Sequence, residues 1–134
     1  MSRIIHKAAG ILIKDKRILV TRSSGSDIFI APGGKLELGE RAHMALIREL
    51  HEELGITVEE KDLKHFGVFR AEAAGEKDAV VVMDVFTVTA WSGEMKPGAE
   101  IVEFAWADST TKHAMGSIFA HEVIPRLHAQ GYIT

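Results

Sequence analysis

The stretch Gly34–Ile56, GKLELGERAHMALIRELHEELGI, constrains this chain more than any other. A glycine-rich entry, Pro32-Gly33-Gly34, leads into a helical pattern from about Glu40 to Leu54, and Gly55 stops it. At about 100° per residue, Glu49, Glu52 and Glu53 share an arc of roughly 100°. Leu46, Ile47, Leu50 and Leu54 occupy the neighbouring arc and are expected to face a core. Ala42 and Ala45 lie on the acidic side, where small side chains would leave room above the helix. Three crowded carboxylates repel one another unless a cation sits among them. Oxygen-only ligands suit a hard ion, Mg²⁺ or Mn²⁺, better than zinc. Such an ion accepts substrate phosphate oxygens and lowers the pKa of a bound water. Taken singly, the glutamates also describe an ordinary solvated face, and the glycines an ordinary turn; the joint pattern decides.

Composition narrows the rest. The 134 residues fit one domain, expected to span 1–134, and 46% hydrophobic residues can supply a real core. A formal charge of −3 gives no general pull toward nucleic acid or an anionic membrane. Zero cysteines remove disulfides, thiolate metal sites and cysteine nucleophiles, and fit a reducing cytoplasm, the expected location. The apolar runs Ala8–Ile13 and Ala79–Met83 are too short to span a bilayer as helices. The seven histidines show no paired metal-ligand spacing.

Along the chain, Ala8–Ile13 and Arg17–Thr21 are β-rich runs around Lys14-Asp15-Lys16, a hairpin pattern, followed by a loop at Ser23–Asp27. Leu63–Ala73 and Ala79–Thr89 read as two more strands joined by the polar turn Gly75-Glu76-Lys77-Asp78. Glu94–Glu100 reads as a loop, Ile101–Trp106 as a short strand, and Ile118–His128 as a final helix kinked at Pro125. Strands outnumber helices, so the expected fold class is α/β, a mixed sheet between helices.

The residues Gly34, Glu40, Arg48-Glu49-Leu50, Glu52-Glu53 and Gly55-Ile56 resemble the Nudix box, with the family's spacing intact over 34–56. Seven fixed positions at ~7% usage each, with two aliphatic ones, make a chance match on the order of one in a billion per starting position. The resemblance implies an α/β/α sandwich with the box as a loop–helix–loop, and a magnesium-dependent pyrophosphohydrolase, for which Mn²⁺ can substitute. By the same resemblance, Glu49, Glu52 and Glu53 would hold the metal with the carbonyl of Gly33, and Arg48 would orient the cluster. Glu40, about 180° round the helix from Glu49, takes a supporting role near the helix start. Either Glu49 or a later acidic residue could be the base; Glu100 is the candidate for the latter, ahead of Glu103 and Glu94.

For substrate, Arg22 and Lys35 are candidates for phosphate contacts and also ordinary surface charges. Phe29 and Ile30 could wall a leaving group, although core packing explains them equally. Subgroup markers are mostly missing: the window Ala71-Glu72-Ala73-Ala74 has neither the proline of ADP-ribose pyrophosphatases nor the tyrosine of dinucleoside polyphosphate hydrolases. Val20-Thr21-Arg22-Ser23 is a fragment of the coenzyme A subgroup's signature. The shape resembles the MutT-type sanitisers of oxidised nucleotides, but those read the base through an asparagine near the last helix. This chain has no asparagine, and offers Ala120-His121-Glu122 there. The expected substrate is a nucleoside triphosphate or a nucleoside diphosphate linked to another moiety. A non-catalytic nucleotide-sensing module is the alternative, although such proteins usually lose box carboxylates and this one keeps them. An isopentenyl diphosphate isomerase-like route needs a cysteine and is excluded. No basic or aromatic surface advertises RNA, so no stable nucleic-acid partner is expected. Oligomeric state is not legible, though small relatives often pair as homodimers.

Overall fold

The computed structural model describes residues 3–72 and 78–134. Its first sheet is organised by β1 (Arg3–Ile11), which runs parallel to β7 (Ala79–Val88) and antiparallel to β5 (Gly33–Lys35). β6 (Leu63–Glu72) closes the other edge against β7, giving the order β5-β1-β7-β6. The second sheet is built on β3 (Arg17–Ser23). β2 (Ile13–Lys14) and β4 (Phe29–Ile30) pair with successive stretches of β3, and β8 (Ile101–Ala107) pairs with it from Ile18 to Ser23. The expected β8 thus extends one residue further, to Ala107.

Strands buried on both faces explain the apolar runs of the sequence. Ala8 and Ala9 are neighbours on β1, yet they serve two different cores. On one side, Ala8, Leu19, Phe86 and Val88 pack against Leu46, Leu50 and Leu54 of α1 (Ala42–Leu54). On the other, Ala9, Ile18, Val20 and Val85 pack against Phe119, Val123 and Leu127 from the C-terminal helix. The result is the mixed sheet between helices that the sequence predicts. No helix among the described residues is long and apolar enough to cross a membrane.

The hairpin at Lys14–Lys16 forms with Asp15 and Lys16 as its two loop residues, at φ 52° and 60°. Positive φ at both positions matches the twist of the flanking strands. α1 starts at Ala42, two residues later than the pattern suggests, and ends where Gly55 takes φ 70° and returns its N–H to the His51 carbonyl. Glu40 therefore sits in the turn before the helix, not on its far face. The last helix changes its winding before Pro125: a π-helical turn over Phe119–Val123 runs directly into α2 (Ile124–Ala129), with Val123 and Ile124 both αR. The wider turn accommodates a proline whose missing N–H could not make the regular helical bond. Of the predicted β6–β7 connection, Ala73 and Gly75-Glu76-Lys77 lie outside the described residues; Asp78 has φ 59°.

Candidate active site

The site forms where β5 threads between β1 and α1. Gly33 pairs with Ala9 and Gly34 with Ala8, so the short strand lies flat on the central strand. Gly33 adopts φ 142°, and a Cβ there would collide with the Ala8 carbonyl. A Cβ on Gly34 would lie 2.7 Å from the Glu49 carboxylate. The two glycines are needed because backbone and carboxylates approach so closely.

This contact overturns one expectation. Ala45 is fully buried and Ala42 packs beside the same core, so these small residues seat the helix on the sheet and leave no open space above it. The acidic arc accordingly turns partly inward. Glu53 is only 4% exposed, and its carboxylate accepts the Gly33 N–H at 2.9 Å. Burial pushes the Glu53 carboxyl up to about 8, against the pull of that N–H; Glu49, Glu100 and Glu52 add repulsion. Glu49 is also raised, chiefly by burial and against the pull of Arg48, with repulsion from Glu52 and Glu100. Glu52 is half-exposed.

Arg48 is the hub. Its Nε and Nη2 donate to the two oxygens of Glu40 at 2.9 Å each, a bidentate pair. Nη1 donates to Glu49 at 2.8 Å and to Glu52 at 3.4 Å, and Nη2 also reaches the Lys35 carbonyl at 3.2 Å. Glu40 in turn accepts the Glu37 N–H at 2.9 Å. The bond from Arg48, with that of Glu37, holds the Glu40 carboxyl near 2, while the Arg48 guanidinium is pushed up by Glu40 and Glu49. Glu40 positions Arg48, and Arg48 positions Glu49 and Glu52. Substituting Glu40→Gln weakens the anchor without emptying the space. We expect kcat to fall about tenfold, roughly the loss of one charge-assisted bond, with KM little changed; equal kcat in steady-state assays would refute the linkage.

Glu100 arrives from a distant part of the chain. The Glu94–Glu100 loop is tied to the end of α1: Lys96 N–H donates to the Leu54 carbonyl at 3.0 Å and Gly98 N–H to the Glu53 carbonyl at 2.8 Å. A Cβ on Gly98 would sit 2.7 Å from the Glu52 carbonyl oxygen, so glycine allows this approach. That docking brings Glu100 close enough to raise both Glu49 and Glu53. Glu103 is committed elsewhere, accepting from Arg22 at 2.7 Å, and Glu94 faces Lys96 at 4.0 Å.

The other candidate residues are placed unevenly. Arg22 also donates to the Ser26 carbonyl at 3.0 Å, which makes it a brace between β8 and the following loop. Lys35 is exposed at the end of β5. Phe29 is buried in the core, its ring 4.6 Å from that of His113. It is the neighbours Ile28 and Ile30 that line a cleft of about 340 Å³ running from Gly33 and Gly34 toward Met83 and Ile118. Lys7, Ser26, Glu72 and Ser117 are its polar side chains among the described residues. Sequence reasoning missed Ile28, Glu72 and Ser117, which carry no local pattern.

Among the described residues no three acidic or imidazole side chains converge tightly enough to enclose a metal ion as they stand. The donor set nevertheless fits a hard divalent cation: carboxylates from Glu49, Glu52, Glu53 and Glu100 stand near one another, and among the described residues buried Glu53 has only the Gly33 N–H for a hydrogen-bond partner.

The glycine strand thus lies against an inward-facing acidic face of α1, beside a largely apolar cleft. The NUDIX domain family model matches residues 4–127, and the chain belongs to the Nudix family, as a Nudix hydrolase. The 8-oxo-dGTP diphosphatase of Escherichia coli (strain K12) is 32% identical over 92 residues, which cover 65% of this chain and 67% of that protein. An ADP-ribose pyrophosphatase from Methanocaldococcus jannaschii is 30% identical over 118 residues, 86% of this chain and 67% of that one. In fold, a MutT NUDIX hydrolase from Burkholderia pseudomallei superposes with a TM-score of 0.76 at 21% identity, covering 97% of this chain and 99% of its own.

Proposed function

We propose that the protein is a Mg²⁺-dependent pyrophosphohydrolase that cleaves a phosphoanhydride in a nucleoside triphosphate or in a nucleoside diphosphate linked to another moiety. The observation that carries this reading is the approach of Glu49 and Glu53, with Glu52 and Glu100 beside them, to the Gly33-Gly34 backbone that also lines the cleft. Glu49, Glu52 and Glu53, with the Gly33 carbonyl, would hold the ion. When bound, Mg²⁺ offsets phosphate charge and acidifies a coordinated water. Arg48 keeps the carboxylates in register, and a carboxylate of the cluster, Glu49 or Glu100, takes the proton of the attacking water. Lys35 and Arg22 stand as the cationic candidates for phosphate, Arg22 only if it leaves Glu103. The apolar wall of Ile28, Ile30, Met83 and Ile118 receives the base or other leaving group, in the place given at first to Phe29.

A product-resolved screen with Mg²⁺ tests the reading, using canonical and oxidised nucleoside triphosphates, ADP-ribose, nucleotide sugars and dinucleoside polyphosphates. The relatives' named activities make 8-oxo-dGTP and ADP-ribose the first two compounds to try. We expect turnover that EDTA abolishes and excess Mg²⁺ restores; turnover indifferent to chelation would sink the metal mechanism. To separate the two bases, Glu49→Gln and Glu100→Gln are compared at saturating Mg²⁺. The residue that takes the proton is the one whose loss costs about a hundredfold or more in kcat and removes the acidic limb of the pH–rate profile.

A further inference from the structure

A second cleft, of about 450 Å³, lies away from the carboxylate site. It is bounded by the start of β6, the end of β7 and the C-terminal helix, with Lys64, Phe66, Thr87, Arg126, Leu127 and Tyr132 among its walls. The carboxylate-side cleft uses Ala71 and Glu72 at the other end of β6. At about 3.3 Å per residue, the stretch from Lys64 to Ala71 separates the two by roughly 20 Å.

The chemistry of this cleft is cationic on an apolar floor. Lys64 pairs in register with Thr87, so both side chains project from the same face of the sheet toward α2. Arg126 stands over the rings of Phe66 and Phe69, its guanidinium carbon 5.2 and 5.4 Å from their centroids. Stacking of this kind fixes the guanidinium plane and leaves its edge N–H groups free to donate. Among the described residues neither Lys64 nor Arg126 has a carboxylate partner, the Thr87 hydroxyl makes no hydrogen bond to protein, and no acidic side chain lines the cleft. His65 also lines it, but its Nε2 is engaged by Asp84 at 2.9 Å. The end of α2 does not oppose an anion with bare carbonyls: Gln130, Gly131 and Tyr132 return their N–H groups to Arg126, His128 and Leu127.

We propose that this cleft is a second ligand site, which takes a small phosphorylated compound through Lys64 and Arg126. The phosphate accepts from the Lys64 ammonium, the Arg126 edge and the Thr87 hydroxyl. Any organic body lies against Phe66, Leu127 and Ile13. Free phosphate and an organic phosphomonoester share this chemistry.

The test is amide NMR titration of the full chain in EDTA, where the uncompensated carboxylates repel anions from the other cleft. Orthophosphate and AMP are the probes. We expect saturable shifts at Lys64, Thr87 and Tyr132, and affinity at least about tenfold weaker in Lys64→Met/Arg126→Met, since each charge-assisted bond lost is worth that much or more. Lys64→Met alone, at an exposed strand position, shows the same direction should the double variant not fold. Tighter binding of AMP than of orthophosphate assigns an organic phosphomonoester; equal binding assigns phosphate itself. The proposal is overturned if neither probe gives saturable shifts, if the shifts fall only around Gly33 and Gly34, or if affinity is unchanged in both variants.

Discussion

Glu53→Gln is expected to lower turnover about a thousandfold at saturating Mg²⁺ and, at the same time, to make the metal-free fold more stable at pH 8. The first effect follows if this carboxylate holds the ion: losing roughly 4 kcal/mol of charge stabilisation in the transition state corresponds to that factor. The second follows from burial. The folded-state pKa of Glu53 lies near 8 against an ordinary value of 4.5, so between those values the folded state binds more protons than the unfolded one. Stability of the metal-free protein therefore falls as pH rises through that window. The full shift would amount to about 5 kcal/mol at 1.36 kcal/mol per unit, and relaxation around the site brings the expected loss nearer ~2 kcal/mol. Glutamine cannot ionise, so the variant lacks this slope. Urea unfolding in EDTA should give similar stabilities at pH 4.5 and a more stable variant at pH 8, and Mg²⁺ should stabilise the wild type alone. Matching curves at both pH values would remove the buried charge from the account.

The adjacent glycines should separate stability from activity in a single assay pair. Gly33→Ala forces a side chain onto backbone at φ 142° and into the Ala8 carbonyl. The strained conformation costs about 1–3 kcal/mol, and with the collision a Tm drop of roughly 10 °C is expected. Gly34→Ala meets only the mobile end of Glu49, 2.7 Å away, which can give way. Its Tm should change by less than about 3 °C, while kcat falls about a hundredfold because a displacement near 1 Å in a catalytic group carries that penalty. Unchanged kcat in Gly34→Ala would show that Glu49 works from a different rotamer. A larger Tm loss in Gly34→Ala than in Gly33→Ala would contradict the packing described for β5.

Much of this site is legible in the chain because its chemistry sits on one regular helix with local spacing. Glu49, Glu52 and Glu53 share an arc, Gly55 ends the helix, and the apolar run Ile18-Leu19-Val20 of β3, divided between the two cores, marks a doubly buried sheet. What stays hidden is what three-dimensional closure supplies. β5 has three residues, too few for any periodicity, yet it is the floor on which Glu53 rests. Glu40 looks remote from Glu49 on a helical wheel, but the helix starts at Ala42 and the preceding turn swings Glu40 back onto Arg48. Ala45 looks like open space because a helical wheel shows directions and not what is packed there. Phe29 and Ile30 are adjacent in sequence, and strand alternation sends one into the core and the other to the cleft.

The substrate-side cleft and the carboxylate cluster draw their parts from different stretches of the chain. The acids come from α1 and the loop ending at Glu100, which are hydrogen-bonded to each other, while much of the cleft wall comes from residues 26–31 and 116–119. Inheritance can therefore act on the two independently. If the cleft admits substrate as proposed, drift at Ile28, Ile30, Ser117 or Ile118 would reshape what enters while leaving the packing of the acids intact. A lineage built on this plan could then explore new substrates through changes in the wall, without first passing through an inactive ancestor.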